Sequence, residues 1–341
     1  MGSVKDLEIL KEPTENETGI GRFHFSDRYS VFDWGEMPDH IPEKGSSIAL
    51  LSAYFFEKLK EEGLQTHYLG LIEDDSVKNL SELKGPSSVM QIRLLRVLKP
   101  PLKGDSYDYS LYKSVRGNFL IPLEIIYRNS LPEGSSVFKR LKSGQLKLED
   151  IGLTEMPEPG QRLARPIYDV STKLEVTDRY INWAEAQEIA ALSDAEVREL
   201  RDIAHRINQL ITEEFEKIGL RNEDGKIELG FDPERRMILV DVLGTLDECR
   251  FTYRGLQVSK EIARIYYRKT DWYAEVEEAK RKDRMNWKAL VKTPPPPLPE
   301  RLKELISFAY QRCTNDITGR QWFPEVPTIS EIMDEIKGYI S

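Results

Sequence analysis

The sequence predicts an α+β fold, in which strands and helices occupy different parts of the chain instead of alternating. Two observations predict this class. Short apolar or alternating segments, typical of strands, dominate residues 1–130. Apolar residues spaced three or four apart, typical of helices, dominate the remainder, where one hairpin pattern returns near residues 226–250. The length of 341 residues suits about two domains or one large enzyme fold.

Four segments of the first part are predicted as strands because they are short, apolar or alternating, and bounded by turn residues. They lie at residues 4–10, 22–25, 89–98 and 119–127. The segment 99–117 contains two prolines, two glycines and three tyrosines, and it is predicted to be a long loop or a hairpin insert. One helix is predicted over residues 48–59, with Ser46 or Ser47 as its N-cap.

Helices dominate the second part. A long helical pattern covers residues 183–218, with a second segment starting at Ser193 and a capping box completed by Glu196. Further helices are predicted at 259–268 and 299–313, the latter after the stiff spacer of four prolines at 294–297. The hairpin pairs residues 226–230 with 237–241 around an Asp-Pro-Glu turn.

The composition excludes several classes of protein. Lys and Arg number 49 against 58 Asp and Glu, a net charge of −9, and the charges are mixed, so we expect no nucleic-acid partner. No apolar run approaches the ~20 residues that span a bilayer, and the N-terminus lacks the apolar core of a signal peptide, so no membrane partner is expected. The two cysteines, Cys249 and Cys313, cannot form a disulfide framework, which favours a cytoplasmic location.

Polar groupings along the chain are candidates for chemistry. Lys5 lies close to a glycine on the first strand, where the pair could meet a phosphate, although such a pair is common without any function. A second grouping lies at a strand end and before the first helix, with a salt-bridged turn as the alternative interpretation: Asp27, Arg28, Ser30, Asp33 and Lys44. In a third, Arg128 leaves a buried strand ahead of Ser135 and could hold a phosphate or carboxylate, unless it simply meets solvent.

Two later groupings suggest nucleotide and metal binding. Lys173 could reach a nucleotide phosphate, although an ordinary polar loop is the alternative. Glu228 and Asp241 are expected on one face of the hairpin, and two converging carboxylates are what Mg²⁺ on nucleotide phosphates requires. Cross-strand ion pairing is the alternative there. Asp247 and Arg250 follow at the hairpin exit, where a substrate could meet them.

Taken in order, these segments resemble the phosphoribosylaminoimidazole-succinocarboxamide synthase family, also called SAICAR synthetases. The resemblance covers nearly the whole chain. It lies in an ordered set of motifs: SDRYSVFD at 26–33, IPEKG at 41–45, PLE at 122–124, GS at 134–135, STK at 171–173, KIELG at 226–230 and GTLDECR at 244–250.

The resemblance implies a smaller β-rich lobe over residues 1–123, loosely like a kinase small lobe, and a larger α+β lobe over residues 124–341. ATP is expected in the cleft between them, with its adenine near residues 91–98 and 121–124. The implied reaction joins L-aspartate to the carboxylate of carboxyaminoimidazole ribonucleotide through an acyl phosphate. Such chemistry relies on positioning and charge neutralisation.

The motifs also imply roles for individual residues. Lys5 and Lys173 are expected at the ATP phosphates, and Glu228 and Asp241 at Mg²⁺. Expected catalytic residues are Lys173, Asp247 and Arg250. The residues expected around the substrates and the ribonucleotide phosphate are Asp27, Arg28, Ser30, Asp33, Lys44, Arg128, Ser135 and Arg250.

The chain departs from the family pattern at several positions. Ser3 replaces a phosphate-binding lysine, and the other departures are Thr177, Val242, Leu246, Glu248 and Cys249. Glu248, next to Asp247, is expected to repel an anionic substrate. These differences leave two alternatives open: a diverged ligase for another acid or amine, and a non-catalytic nucleotide-binding relative. The implied partners are small-molecule substrates, and a homo-oligomer also stays open.

Overall fold

The computed structural model describes residues 4–132 and 134–340. The strands are β1 Lys5–Lys11, β2 Gly19–Phe25, β3 Tyr68–Glu73, β4 Ser76–Lys78, β5 Val89–Leu94, β6 Leu102–Lys103, β7 Ser106–Tyr107, β8 Phe119–Ser130, β9 Arg162–Thr172, β10 Tyr180–Ile181, β11 Arg221–Phe231, β12 Met237–Val240, β13 Cys249–Tyr253 and β14 Leu256–Gln257. The helices are α1 Lys44–Glu61, α2 Ser136–Lys142, α3 Trp183–Ile189, α4 Asp194–Lys217, α5 Glu261–Tyr267, α6 Asp271–Lys282, α7 Glu300–Thr318 and α8 Ile329–Ile340.

Two antiparallel sheets divide the molecule into two lobes. The first sheet has the strand order β1-β2-β5-β3-β4 and packs against α1. The second has the order β10-β9-β8-β11-β13-β14, carries β12 as an extra partner of β11, and packs against α4. The predicted α+β class and two-lobed arrangement are therefore confirmed. The exact division at residue 123 remains a proposal, because β8 runs across it.

The lobes are joined by backbone hydrogen bonds as well as by the chain. The His67 N–H donates to the Leu239 oxygen of β12 at 2.9 Å, and the Leu239 N–H donates to the Gln65 oxygen at 2.9 Å. On the other side, the Leu120 N–H donates to the Arg96 oxygen at 2.9 Å. These bonds hold β12, and the residue that follows it, at the cleft between the lobes.

Strand register brings distant polar residues together in the second sheet. Glu228 of β11 lies opposite Glu124 of β8. Asp224, also on β11, lies opposite Arg128 of β8 on one side and Arg250 of β13 on the other. One central strand therefore positions both an acidic cluster and an arginine cluster.

Local predictions differ in how well they succeeded. The capping box of Ser193 and Glu196 at the start of α4 is confirmed. The predicted caps Ser46 and Ser47 are wrong, because α1 already begins at Lys44, after Glu43 in a left-handed conformation with φ 58°. The predicted strand 89–98 ends at residue 94, and the long insert at 99–117 is confirmed as a small β6–β7 hairpin followed by a 3-10 turn. Among the described residues, no helix is long and apolar enough to cross a membrane.

Candidate functional site

A cavity of about 350 Å³ opens between the lobes. Apolar side chains from both lobes line most of it, including Leu7, Phe23, Ile92, Leu94, Leu120 and Val240. Of the two segments predicted to hold adenine, residues 91–98 form part of this wall, whereas its residues near the second segment end at Leu120, just before 121–124. Its polar end is formed by His67, Glu228 and Asp241. The cavity therefore combines an apolar pocket for a flat ring with a charged end.

Lysines and carboxylates alternate at the charged end. The Lys173 Nζ donates to Glu228 Oε1 at 2.6 Å and to Glu124 Oε1 at 2.9 Å. The Lys226 Nζ donates to the same Glu124 oxygen at 3.0 Å. Lys5, on β1 of the first sheet, donates to the Asp241 carboxylate. The carboxylates that these three lysines contact here are supplied by β8, β11 and the residue after β12.

The two candidate metal ligands have opposite electrostatic environments. Burial, together with the charge of Asp241, raises the pKa of Glu228 to about 8. Burial would also raise the pKa of Asp241, but the charges of Lys5, Lys173 and Lys226 lower that pKa below its usual range. Asp241 has a left-handed backbone with φ 67°, a strained conformation of the kind that concentrates at functional sites.

The donor set fits Mg²⁺ bound to a nucleotide. Glu228 and Asp241 line one cavity, and each carboxylate forms an ion pair with a lysine that could instead contact a nucleotide phosphate. Within residues 4–132 and 134–340, no group of three or more His, Cys, Asp or Glu side chains forms a metal site. A pair of carboxylates is nevertheless the usual protein contribution to Mg²⁺ that also binds phosphates and water.

A second cavity of about 210 Å³ lies beside the first. Its polar lining includes four predicted residues from three segments of the chain: Ser30, Asp33, Lys44 and Asp247. Two cations that were not predicted, Lys260 and Arg264, also line it. Glu248 also lines it, and its carboxylate lies 3.3 Å from the Lys226 Nζ. Lys226 therefore balances the charge of Glu248 and links it to Glu124.

An ion pair forms the wall of this second cavity. The Lys44 Nζ donates to Asp247 Oδ2 at 2.7 Å, and the two side chains are 1% and 7% exposed. Burial would raise the pKa of Asp247, but the charges of Lys44 and Lys260 lower it to about 2. Burial lowers the pKa of Lys260. Asp247 is thus a fixed negative charge that holds a buried ammonium.

The third grouping is a cluster of arginines beyond the second cavity. Arg250 Nε donates to Asp224 Oδ1 at 2.8 Å, and Arg128 lies 3.4 Å from both Asp224 and Asp169. Arg140 also pairs with Asp169. Three arginines against two aspartates leave one excess positive charge. Among the described residues, the buried Nε of Arg128 has no hydrogen-bond partner, and the excess positive charge of the cluster suits an added anion.

Some predicted residues lie elsewhere or act indirectly. The Asp27 carboxylate accepts the backbone N–H groups of Gly45 at 2.9 Å and Glu43 at 3.3 Å, and so anchors the loop before Lys44. Arg28 donates to Asp6 at 2.6 Å, and this hydrogen bond raises the pKa of the Arg28 guanidinium. The Ser135 hydroxyl caps α2, the Asp33 side chain is 92% exposed, and Ser3 lies outside the described residues.

Sequence reasoning missed several residues that the fold brings to the site. Glu124 and Lys226 lie in motifs that were recognised, but their pairing depends on strand register. Lys260 and Arg264 are spaced four apart at the start of α5, so they lie on one helical face, and this spacing was the available signal.

Comparisons with known proteins agree with this geometry. The model of the SAICAR synthetase family matches residues 13–282. This chain belongs to the SAICAR synthetase family. A protein of Archaeoglobus fulgidus named "Putative phosphoribosylaminoimidazole-succinocarboxamide synthase" is 50% identical over 337 residues, which cover 99% of each chain. The phosphoribosylaminoimidazole-succinocarboxamide synthase of Thermoplasma acidophilum is 33% identical and covers 94% of this chain and 98% of its own.

Solved structures of SAICAR synthetases share the fold. A SAICAR synthetase in complex with ADP has a TM-score of 0.60 at 21% identity, covering 94% of this chain and 97% of its own. The Saccharomyces cerevisiae enzyme complexed with SAICAR has a TM-score of 0.63 at 22% identity, covering 94% of each chain. The family fold is thus present over nearly all of this chain.

Proposed function

We propose that this SAICAR synthetase family member joins L-aspartate to the carboxylate of carboxyaminoimidazole ribonucleotide at the expense of ATP. The product is the succinocarboxamide intermediate of purine synthesis. The observation that carries the proposal is the interlobe cavity, apolar at one end and lined by lysine–carboxylate pairs at the other. Membership of the family supports the same reaction.

ATP is the nucleotide that suits this cavity. The apolar walls from both lobes accept an adenine ring, while Lys5 and Lys173 face the end where phosphates would lie. Both lysines currently neutralise carboxylates and can exchange these for phosphate oxygens. A related structure holds ADP.

We assign Mg²⁺ to Glu228 and Asp241. The ion would neutralise phosphate charge, which is its usual contribution to phosphoryl transfer. Glu228 lies on β11 opposite Val240 of β12, and Asp241 directly follows Val240, so the hairpin fixes their relative position. Lys173 and Lys5 lie against them and keep the acidic pair compensated when no nucleotide is bound.

The other two groupings suit the remaining substrates. We assign the ribonucleotide phosphate to the arginine cluster around Arg128 and Arg250, with Ser135 close to it along the chain, because this cluster carries the excess positive charge. We assign the substrate carboxylates to the second cavity, where Lys44, Lys260 and Arg264 supply cations. Asp33 and Ser30 lie at the same cavity and can accept or donate hydrogen bonds.

The reaction then proceeds in two steps. A carboxylate oxygen of the ribonucleotide attacks the γ-phosphorus of ATP, ADP leaves, and an acyl phosphate forms. The amine of L-aspartate attacks the acyl carbon, the bond to phosphate breaks, and the amide forms with loss of a proton. Lysine and arginine side chains stabilise the charge that develops, so no protein nucleophile is required. Cys249 is unsuited to that role, because burial raises the pKa of its thiol to about 12.

The test is direct measurement of the succinocarboxamide product with Mg²⁺, ATP, the ribonucleotide and L-aspartate. Product at an ordinary enzymatic rate supports the proposal. Omitting L-aspartate should abolish the product. If Mg²⁺–ATP binds but no product forms, the substrate assignment is refuted. If ATP does not bind, the assignment of the interlobe cavity is refuted as well. Two free, buried cysteines support a cytosolic location for this activity.

A further inference from the structure

Helix α7 packs against α1, which contributes Lys44 to the second cavity. The Ser307 hydroxyl donates to the backbone oxygen of Pro42 at 2.5 Å, and the Thr314 hydroxyl donates to that of Ser47 at 3.3 Å. These bonds hold α7 against the first turn of α1, which carries Lys44. The helix therefore belongs to the structure that supports the substrate site.

Between those two contacts, Tyr310 of α7 reaches Asp247. The Tyr310 hydroxyl donates to Asp247 Oδ1 at 2.5 Å, while the Lys44 Nζ donates to Oδ2 at 2.7 Å. The Lys44 ammonium also lies 5.6 Å from the centroid of the Tyr310 ring. All three side chains are buried. Each oxygen of the carboxylate thus has a donor of its own, and these donors fix the orientation of the carboxylate.

We propose that Tyr310 is a positioning residue, whose hydroxyl fixes the Asp247 carboxylate so that Asp247 holds the Lys44 ammonium at the wall of the substrate cavity. This inference rests on the proposed function, which assigns that cavity to the substrate carboxylates. The family match ends at residue 282, before α7, so the match does not assign this role.

Loss of the hydroxyl should act through Lys44. With one donor removed, the Asp247 carboxylate can rotate, and the buried oxygen that accepted from Tyr310 is left unsatisfied. The Lys44 ammonium is then no longer held in one fixed position by Asp247. A displacement of about 1 Å at a positioning group can lower a rate about 100-fold.

The test compares Tyr310→Phe with a matched control, Tyr68→Phe. Tyr68 is equally buried and donates to a carboxylate, Glu57 Oε1, at 2.7 Å, but it lines neither cavity. We expect Tyr310→Phe to lower kcat/KM for the carboxylate substrates by about tenfold or more with the KM for ATP unchanged. The control should retain wild-type values. Wild-type kinetics in Tyr310→Phe, or an equal loss in both variants, would overturn the proposal.

Two further measurements separate this route from a general structural effect. In an Asp247→Asn background, Tyr310→Phe should cause little additional loss, and the same fold-loss in both backgrounds would overturn the route through Asp247. A crystal structure of Tyr310→Phe should show Lys44 displaced from its 2.7 Å contact with Asp247, and an unchanged contact would overturn the proposal. This structural measurement needs no turnover, so it decides the role of Tyr310 even if the wild-type protein makes no product and the proposed function fails.

Discussion

Replacing Lys226 with methionine tests how this protein accommodates the acidic residue Glu248 at the second cavity, which we propose holds the substrate carboxylates. The Lys226 Nζ lies 3.0 Å from Glu124 Oε1 and 3.3 Å from Glu248 Oε2. Burial would lower the pKa of Lys226, but these carboxylates raise it, so the side chain is charged. Glu124 keeps Lys173 at 2.9 Å when Lys226 is removed. Glu248 is therefore the carboxylate that loses its ion-pair partner.

The expected effects follow from this geometry. Removing one partner of a buried ion pair costs about 3–5 kcal/mol, and solvent screening reduces that cost. The Lys226 side chain is 33% exposed, so we expect the free energy of unfolding to fall by about 2 kcal/mol. For a substrate anion assumed to lie about 8 Å from Glu248, an effective dielectric constant of about 20 gives a repulsion of about 2 kcal/mol. That repulsion corresponds to a loss of about 30-fold in kcat/KM.

Urea denaturation and steady-state kinetics check both magnitudes. The double variant Lys226→Met/Glu248→Gln should recover most of the lost stability and activity, because it removes the uncompensated charge. Lys282→Met is the control: this lysine forms a 2.5 Å pair with Glu278, and both side chains are well exposed. Its unfolding free energy should change by less than about 0.5 kcal/mol. If the double variant is as impaired as Lys226→Met alone, the reasoning about Glu248 is refuted.

Three other results are expected. Asp241→Asn should abolish Mg²⁺-dependent turnover with an unchanged circular dichroism spectrum, and activity that survives would remove the metal assignment. Burial opposes ionisation of Asp247, but lysine charges lower its pKa from 3.8 to about 2. The ionised carboxylate therefore adds stability that is fully present above pH 3.8 and is lost as the pH falls through 2. The difference in unfolding free energy between wild type and Asp247→Asn should narrow by about 2 kcal/mol over that range, and a constant difference would contradict the assignment. Gly225→Ala would place a Cβ 2.3 Å from the Tyr127 hydroxyl and 2.8 Å from Cys249 Sγ. The resulting steric clash should lower the free energy of unfolding by about 1–3 kcal/mol. An unchanged urea midpoint would show that the sheet accommodates the added methyl group without loss of stability.

The elements that could be predicted from sequence are those with local signals. Helix α4 has a three-to-four apolar spacing and a capping box contained within a few residues, so its start at Asp194 was predictable. Strand β9 was not, because Arg165 and Pro166 interrupt its apolar pattern. Its neighbour β10 is only two residues long, so much of β9 behaves as an edge and tolerates polar residues and proline.

The start of α1 shows why a cap can escape prediction. Ser46 and Ser47 have the right chemistry and lie at the right distance before the apolar pattern. The backbone N–H groups at that end are instead satisfied by Asp27, which approaches from 18 residues away and accepts from Gly45. Local sequence rules cannot detect a cap supplied by another segment.

The candidate site shows the same division. Motifs identified Lys173 and Glu228 as functional types, but only the fold shows that they contact each other at 2.6 Å. Tyr310 lies 63 residues from its partner Asp247. Its position on α7 marks it as a core helix residue, and nothing in the local sequence indicates a contact with the site.

The departures from the family pattern fall into two kinds, and the difference bears on the substrate. Val242, Leu246 and Cys249 are all buried, so these changes alter packing behind the cavities and leave their polar lining intact. Glu248 reaches the second cavity, where its charge would oppose an anionic substrate, but Lys226 lies against it. Among these four positions, only Glu248 bears directly on which substrate the cavity accepts, and its charge is balanced by Lys226. That is why the Lys226 and Glu248 variants, measured together, test whether this divergence changes the reaction or leaves it intact.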